Sequence, residues 1–308
     1  MKSPLAALVF ATLMLTSVIP AAYAAAPRVV VSIKPLQSLV AGVMEGIAVP
    51  DVLIKGGGSL HAYALRPSEA EALSKADLVL WIGPVFETFL VKPLAALGGR
   101  ARIEALIDTP GMKALPARFG GLWDLDDDHG VDRDDRRVDG HIWLDPQNAK
   151  VLVVGIARTL GAMDQGNADR YQRNAGVVLA RLDALDAELR TKLAPVRGIP
   201  FVVFHDAYQY FEAAYGLRAV ASVTVSADRV PGARRITQVK EKIVGLGATC
   251  VFAEPQFEPK LVRTLLSGTR AKSGVLDPEG SALAPGPDFH FNMARNLADN
   301  LVRCLVEP

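Results

Sequence analysis

Cysteine and histidine are scarce in this chain, and neither sign of charge is in excess. Two cysteines and five histidines occur in 308 residues, and 34 basic residues face 33 acidic ones. A net charge of +1 gives no basic surface for nucleic acid or an anionic membrane, so we expect neither partner. The 50% hydrophobic content argues against disorder and for a packed globule.

The first 24 residues have the pattern of a cleavable export signal. Lys2 gives a basic start, residues 5–18 are apolar, and Ala22-Tyr23-Ala24 is a small-residue cleavage site. The apolar stretch is shorter than the roughly 20 residues of a membrane span, and no later segment is apolar enough for one. No cysteine lies near the cleavage point, which excludes a lipid anchor there. We therefore expect an exported, periplasmic protein that is not embedded in a membrane.

The two cysteines, Cys250 and Cys304, fit an oxidising compartment, where such a pair usually forms a disulfide. A loop of that size would stabilise the fold by about 4 kcal/mol in the chain-entropy model. Two buried free thiols remain an alternative. Two zinc thiolates are another, although neither residue has a second cysteine nearby to make a paired motif.

Strands that alternate with helices predict an α/β fold in two similar halves with mainly parallel sheets. A helix is predicted from Pro67, where Ser68 and Glu71 have capping-box spacing, and a second from Asp145-Pro146. Predicted strands cover residues 28–33, 49–54, 76–82, 200–204, 249–253 and 273–276, and further helices cover 236–246, 260–271 and 289–306. The chain is long enough for two lobes with separate cores.

Residues 168–193 have the longest helical periodicity in the chain. Apolar residues recur there at steps of four and three, which gives one apolar stripe. A helix of this length would join the two lobes, although a coiled-coil dimer is an alternative. We predict a signal peptide at 1–24, an N-terminal lobe at 25–165, a connecting helix at 166–194 and a C-terminal lobe at 195–308. The stripe residues are Tyr171, Ala175, Val178, Leu182, Leu185 and Leu189.

Four side chains follow or border predicted strands and are candidate metal ligands: His61, His141, His205 and Asp277. Open α/β sheets place ligands at the carboxyl ends of their strands, so these residues are expected to meet in the cleft between the lobes. Imidazole and carboxylate suit a tetrahedral zinc site. The alternative is that each histidine only caps or fills its own loop.

Ordered sequence blocks extend this prediction over most of the chain. They cover residues 61–68, 77–84, 141–146, 204–211, 249–257 and 276–278. From about residue 29 onward the sequence resembles the zinc-binding periplasmic component of bacterial ABC zinc importers. The resemblance implies two Rossmann-like α/β lobes joined by one rigid helix, metal between the lobes, and a Cys250–Cys304 disulfide.

The resemblance also implies the cargo and the partners. Zn²⁺ would be bound as the transported substrate and passed to a membrane permease subunit driven by a cytoplasmic ATPase, and we expect a monomer. Manganese binders of the family tend to carry a carboxylate where this chain has His205, which makes manganese the alternative cargo. Water replaces the fourth ligand in some relatives, and Asp277 would then only cap the turn at Pro278.

Residues 124–139 depart from the family pattern, because zinc importers commonly carry a histidine-rich loop there. This chain has eight aspartates, three arginines and only His129 in that stretch. We predict a solvated loop, with a weak accessory metal site at His129 as the alternative. His290 is predicted to be structural.

An exported zinc hydrolase that uses the same three histidines is the competing function class. Neither H-E-x-x-H nor G-x-S-x-G occurs, so we predict a binding protein and no enzyme. A metal-regulated adhesin would fit the fold but has no supporting motif. Asp206 and Glu254 are candidates to orient a histidine, while Trp143 and Tyr208 are expected to pack the lobes.

Overall fold

Two four-stranded parallel sheets, flanked by helices, form the framework of the protein in the computed structural model. The structure describes residues 25–56, 63–97, 99–118, 123, 138–224, 231–257 and 260–306. The predicted α/β class is therefore confirmed. Within these residues, no helix is both long and apolar enough to cross a membrane.

The N-terminal sheet has the strand order β2-β1-β3-β4 with every pair parallel. Every residue of the two central strands, β1 and β3, is buried, which explains their unbroken apolar sequences. The strands are β1 Val29–Ile33, β2 Asp51–Ile54, β3 Leu78–Trp81 and β4 Arg102–Ala105, and the helices beside them are α1 Lys34–Val43, α2 Pro67–Lys75 and α3 Val91–Leu97.

The C-terminal sheet repeats this topology with the order β6-β5-β7-β8, again parallel throughout. In each half the first strand lies second in the sheet and pairs with the second and third strands. The two similar halves predicted from the sequence are present. The strands are β5 Pro200–Val203, β6 Arg218–Ser222, β7 Cys250–Ala253 and β8 Lys272–Val275, with α6 Gln209–Tyr215, α7 Ala233–Leu246 and α8 Lys260–Leu266.

A 26-residue helix, α5 Ala168–Leu193, lies between the halves, about 39 Å long at 1.5 Å per residue. Its bounds match the prediction, and α1, α4 Pro146–Met163 and α9 Phe289–Val306 all pack against it. Its apolar stripe is buried in this packing, as the stepping of apolar residues predicted. The buried residues are Tyr171, Ala175, Val178, Leu182, Leu185, Leu189 and Leu193.

The prediction of two separate cores is wrong. One continuous hydrophobic cluster takes in β1, β3, α5 and α9 and reaches β5 and β7 of the other sheet, while a smaller cluster lies under α7 and α8. The helix α5 buries residues against both halves, so their cores merge along it. This shared core limits how far the halves can separate, because separation would expose apolar surface to water.

Several local predictions also fail, each for an identifiable reason. The helix α2 begins at Pro67 as predicted, but the capping box at Ser68 and Glu71 is wrong, because Arg66 is the N-cap and the Glu69 carboxylate accepts the backbone N–H of Arg66 at 2.8 Å. The strands β4 and β6 were not predicted, because both lie at sheet edges and are partly exposed, so they lack an unbroken apolar run. The helices α3 and α6 were also not predicted, and α8 ends at Leu266, five residues earlier than expected.

The helix α4 begins as predicted. The Asp145 carboxylate accepts hydrogen bonds from the backbone N–H groups of Gln147 at 2.7 Å and Asn148 at 3.3 Å, and Pro146 occupies the first helical position. This cap fixes the short 3₁₀ turn Ile142–Leu144, which directly follows His141.

Cys250 of β7 and Cys304 of α9 form a disulfide across a sequence separation of 54 residues. The free-thiol and zinc-thiolate alternatives are therefore excluded. The bond ties the last turn of the C-terminal helix to a central strand of the second sheet.

We expect the double variant C250A/C304A to lose about 4 kcal/mol of unfolding free energy, because the unfolded chain would regain the entropy of an open loop. Urea denaturation of the metal-free protein measures this loss. Reduced wild-type protein is the control and should lose a similar amount. An unfolding midpoint that does not move on reduction would contradict a stabilising role for the bond.

Candidate metal site

His205 lies just beyond the carboxyl end of β5, and its imidazole is bound by a carboxylate from the adjacent strand. Its Nδ1 is 2.7 Å and 2.8 Å from the two oxygens of Glu254, which follows β7 directly. The backbone N–H of His205 donates to the same carboxylate at 3.3 Å. His205 is only 4% exposed, and the Tyr208 hydroxyl donates to Glu254 at 3.2 Å. The neighbouring parallel strands β5 and β7 thus place the His205 ring and the Glu254 carboxylate, which orients it, side by side.

His141 has the same arrangement with a different partner. Its Nδ1 is 2.7 Å from Oδ1 of Asp139, and its backbone N–H donates to that oxygen at 3.0 Å. His141 is 7% exposed, and Asp139 is equally buried. Placing Asp139 in a solvated loop was wrong, and so was placing His141 at a strand end, since it precedes the 3₁₀ turn Ile142–Leu144.

These two histidines come together across the halves of the molecule. The ring centroids of His141 and His205 are 5.5 Å apart. In each ring the carboxylate at Nδ1 selects the tautomer that carries the proton there and the lone pair on Nε2, as in metal sites where a second carboxylate orients the ligand. Burial lowers the pKa of His205, but the charge and hydrogen bond of Glu254, together with the charges of Glu279 and Asp206, raise it more, so the net pKa shift is upward.

Asp277 follows β8, as expected, but its carboxylate already accepts hydrogen bonds from its own loop and from Gln256 in the loop after β7. Oδ1 accepts hydrogen bonds from Nε2 of Gln256 at 3.1 Å and from the backbone N–H of Glu279 at 3.2 Å. Oδ2 accepts both the backbone N–H and the hydroxyl of Ser281 at 2.6 Å. The turn-capping alternative is thus realised in the structure, and the ligand role of Asp277 stays a prediction.

The loop after Asp277 is held by the N-terminal half. The buried Lys34 ammonium donates to the carbonyls of Gly280, Ser281 and Leu283 at 3.0–3.2 Å. The indole Nε1 of Trp143 donates to the Pro278 carbonyl at 3.0 Å. Trp143 was expected to pack the lobes, and it also makes this specific hydrogen bond.

An ion pair also connects the two halves, next to His205. The Arg118 guanidinium donates to Asp206 at 2.9 Å and 3.0 Å and to Glu212 at 2.9 Å and 3.1 Å, and it lies 3.8 Å from the centroid of the Trp123 ring. Asp206 therefore pairs with Arg118, while Glu254 is the residue that orients His205. Of the two candidates, only the Glu254 assignment is confirmed.

Glu279 was not singled out by the sequence analysis. Burial raises the pKa of its carboxyl to about 8, the charges of Glu254 and Asp277 act in the same direction, and those of His205 and Lys34 oppose them. In the sequence, the position of Glu279 two residues after the candidate ligand Asp277 could have indicated that it lies near the site.

Three other predicted residues complete the comparison. His61 and His129 lie outside the described residues, as do residues 124–137. His290 is buried in α9, where its backbone N–H donates to the Ser38 hydroxyl at 3.0 Å and burial lowers the pKa of its ring to about 4. Among the described residues alone, no three His, Cys, Asp or Glu side chains form a group that could hold a metal ion.

A family model described as "Zinc-uptake complex component A periplasmic" matches residues 29–304. The chain belongs to this family. A zinc-uptake component A is the periplasmic zinc-binding part of an uptake system, so zinc is the cargo of this protein and not a resident cofactor.

Named members of the zinc-uptake family and their structures agree with this assignment. The chain is 46% identical over 305 residues to a high-affinity zinc uptake system protein ZnuA of Brucella abortus, covering 90% of this chain and 91% of that protein. A crystal structure of ZnuA superimposes with a TM-score of 0.78 at 25% identity, over 91% of this chain and 99% of that one. A zinc-bound ZnuA deletion mutant gives 0.76 at 26% identity, over 91% and 98%.

The carboxylates on Nδ1 should control the metal affinity of this zinc-uptake protein. We expect E254Q and D139N each to weaken zinc binding about 10- to 100-fold, because an amide orients the ring less firmly and makes it less basic. A competition titration with a chromophoric chelator measures the change. E188Q, which removes an exposed partner of Arg295, is the matched control and should bind as wild type does. Equal affinities in all four proteins would show that the carboxylates do not act on the metal.

Proposed function

We propose that His61, His141 and His205 capture one Zn²⁺ in the periplasm and that a carboxylate completes the site, with Asp277 as the residue predicted from the sequence. The observation that carries this proposal is the pair of buried imidazoles 5.5 Å apart, each oriented by a carboxylate on Nδ1. Two rings held in this way suit a shared ion better than two independent loop caps. The loaded protein then passes its ion to a membrane permease subunit driven by a cytoplasmic ATPase.

Zinc is favoured over manganese by the types of donor atom. Imidazole suits a borderline-soft ion, whereas manganese prefers carboxylate and water oxygens. His141 and His205 supply nitrogen, and their carboxylate partners are already engaged at Nδ1. A manganese site would need several of those oxygens on the metal itself.

We further propose that the protein binds its ion without catalysing a reaction. A catalytic zinc keeps an open coordination position for water. His141 and His205 are both buried, and the Lys34 and Trp143 hydrogen bonds hold the loop next to them in place. This enclosure suits capture and release of an ion better than access by an organic substrate.

The remaining architecture follows from the same proposal. Residues 1–24 are a cleaved signal peptide, 25–165 and 195–308 are the two lobes, and 166–194 connect them in a monomer. Because the lobes share one core along α5, loading and release proceed with small lobe movements and no wide hinge opening.

Zinc titration of the chain starting at residue 25 tests the ligand set directly. We expect one tight equivalent, and a loss of at least about tenfold in affinity for each of H61A, H141A and H205A, because each removes one donor. Saturation at a thousandfold excess over the dissociation constant should raise the unfolding free energy by about 4 kcal/mol. H129A should keep the tight equivalent, because a solvated loop is predicted around His129; loss of a weaker second equivalent in H129A would support the accessory-site alternative.

The metal content of protein purified from the periplasm can contradict the proposed zinc cargo, and hydrolysis assays can contradict the proposed binding role. One equivalent of manganese in place of zinc would reassign the cargo. Hydrolysis of esters or peptides that disappears in H205A would make the protein an enzyme.

The affinity should also depend on pH in a particular direction. A proton and a metal ion compete for the imidazole of His205. Because the pKa of His205 is raised above 6.5, the zinc affinity should begin to fall at a pH above 6.5 as the pH is lowered. E254Q removes the charge that raises the pKa, so the midpoint of the affinity loss should move to lower pH. Titrations between pH 5 and pH 8 measure both midpoints. Identical midpoints in wild type and E254Q would contradict this coupling.

A further inference from the structure

The loops that carry His141 and His205 are joined directly by the hydroxyl of one tyrosine. Tyr210, in the first turn of α6, is fully buried, and its hydroxyl donates to the Asp139 carbonyl at 2.7 Å. The same hydroxyl accepts the backbone N–H of Leu115 at 2.9 Å. One hydroxyl of the C-terminal half therefore uses both its donor and an acceptor position to hold two segments of the N-terminal half.

The two segments that Tyr210 holds are also bonded to each other. The backbone N–H of Asp139 donates to the Leu115 carbonyl at 2.9 Å. Asp139 is the residue whose carboxylate lies 2.7 Å from Nδ1 of His141 and accepts its backbone N–H. The position of the His141 ring thus depends on a paired structure that Tyr210 anchors to the other half of the protein.

Tyr210 belongs to the same short unit as His205. Residues 206–208 alone separate His205 from the start of α6. The backbone N–H of Ala207 donates to the His205 carbonyl at 3.0 Å, which closes this connection into a turn. A displacement of Tyr210 relative to the N-terminal half would therefore also displace the His205 ring relative to His141.

Arg118 joins the same two units at a second point. Its guanidinium binds Asp206 and Glu212, which lie on either side of Tyr210 in the sequence. The side chains of Arg118 and Glu212 are mostly buried. A planar guanidinium that binds two carboxylates fixes direction as well as distance, so this contact restrains α6 where the hydroxyl alone would leave it free to pivot.

We propose that Tyr210 is a positioning residue that fixes the separation of the His141 and His205 rings and thereby slows the release of zinc. This inference rests on the proposed function and concerns these two ligands. The centroid spacing of 5.5 Å is then set by contacts within the protein, so binding an ion does not have to order the two loops. Without the hydroxyl, the buried Asp139 carbonyl loses its donor and the paired segments have to shift.

The variant Y210F tests this role, because it removes the hydroxyl and keeps the buried ring. We expect zinc to dissociate from Y210F about tenfold faster than from wild type, with a matching loss of affinity and an unchanged association rate. Stopped-flow mixing of the loaded protein with a chromophoric chelator measures the dissociation rate. The visible absorption bands of the Co²⁺-loaded protein should also change, because they depend on the geometry of the donor atoms.

Y171F is the matched control. Tyr171 is as buried as Tyr210, and its hydroxyl donates to Asp164 at 3.0 Å. Asp164 lies at the end of the 18-residue helix α4 that is about 27 Å from the helix start beside Asp145. Y171F should therefore lose stability much as Y210F does, while the zinc dissociation rate and the Co²⁺ bands stay those of wild type.

R118K disturbs the second contact between the same units. A lysine keeps the charge but cannot bind two carboxylates through one planar group, so R118K should also release zinc faster than wild type. Thermal unfolding of each metal-free variant establishes that it is folded. R118K tests the restraint on α6 even where Y210F fails to fold.

Amide exchange measured by NMR adds a reading that needs no metal. In the metal-free protein, the Leu115 N–H should exchange faster in Y210F than in wild type or Y171F, because its acceptor is gone. The proposal is wrong if folded Y210F releases zinc at the wild-type rate, or if R118K does so where Y210F does not fold. It is also wrong if Y171F speeds release and alters the bands as much as Y210F does, since lost stability would then explain both. A wild-type protein that binds no zinc would instead refute the proposed function itself.

Discussion

A buried imidazole binds a metal ion well only when one tautomer and one ring orientation are fixed in advance, and here two carboxylates fix them. Asp139 holds Nδ1 of His141 and Glu254 holds Nδ1 of His205, both at 2.7 Å. Each carboxylate also accepts the backbone N–H of its histidine, so ring and main chain are positioned together. The rest of the architecture brings these two units within 5.5 Å of each other.

That proximity depends on contacts between the halves more than on either sheet. The helix α5 merges the two cores, Lys34 and Trp143 hold the loop after β8, and Arg118 pairs with Asp206 beside His205. All three charged or polar contacts lie close to the site and bridge residues far apart in sequence. A protein built in this way can adjust a few side chains around an ion without moving whole lobes, which suits a carrier that must both retain and release its cargo.

The sequence predicted the features that depend on local pattern. The bounds of α5 and α9, the Asp145 cap and the central strands all follow from periodicity or unbroken apolar runs. The orienting role of Glu254 was one of two open candidates, since choosing between it and Asp206 requires knowing that β7 lies beside β5. The role of Asp139 was missed because its pairing with His141 depends on burial and on loop shape, which one-dimensional spacing does not encode.

The residues on either side of the acidic segment 119–137 pair with each other, and we call this pairing the base of the segment. Pro116 and Val138 pair as an antiparallel bridge, Asp139 N–H donates to the Leu115 carbonyl, and the Tyr210 hydroxyl links both strands of the base. Whatever sequence lies between residues 119 and 137, the chain re-enters the fold at a fixed point two residues before His141. A change in the length or composition of this segment would therefore leave the position of His141 unchanged. The base is therefore also a suitable insertion site for a fluorescent reporter domain in the design of a zinc sensor.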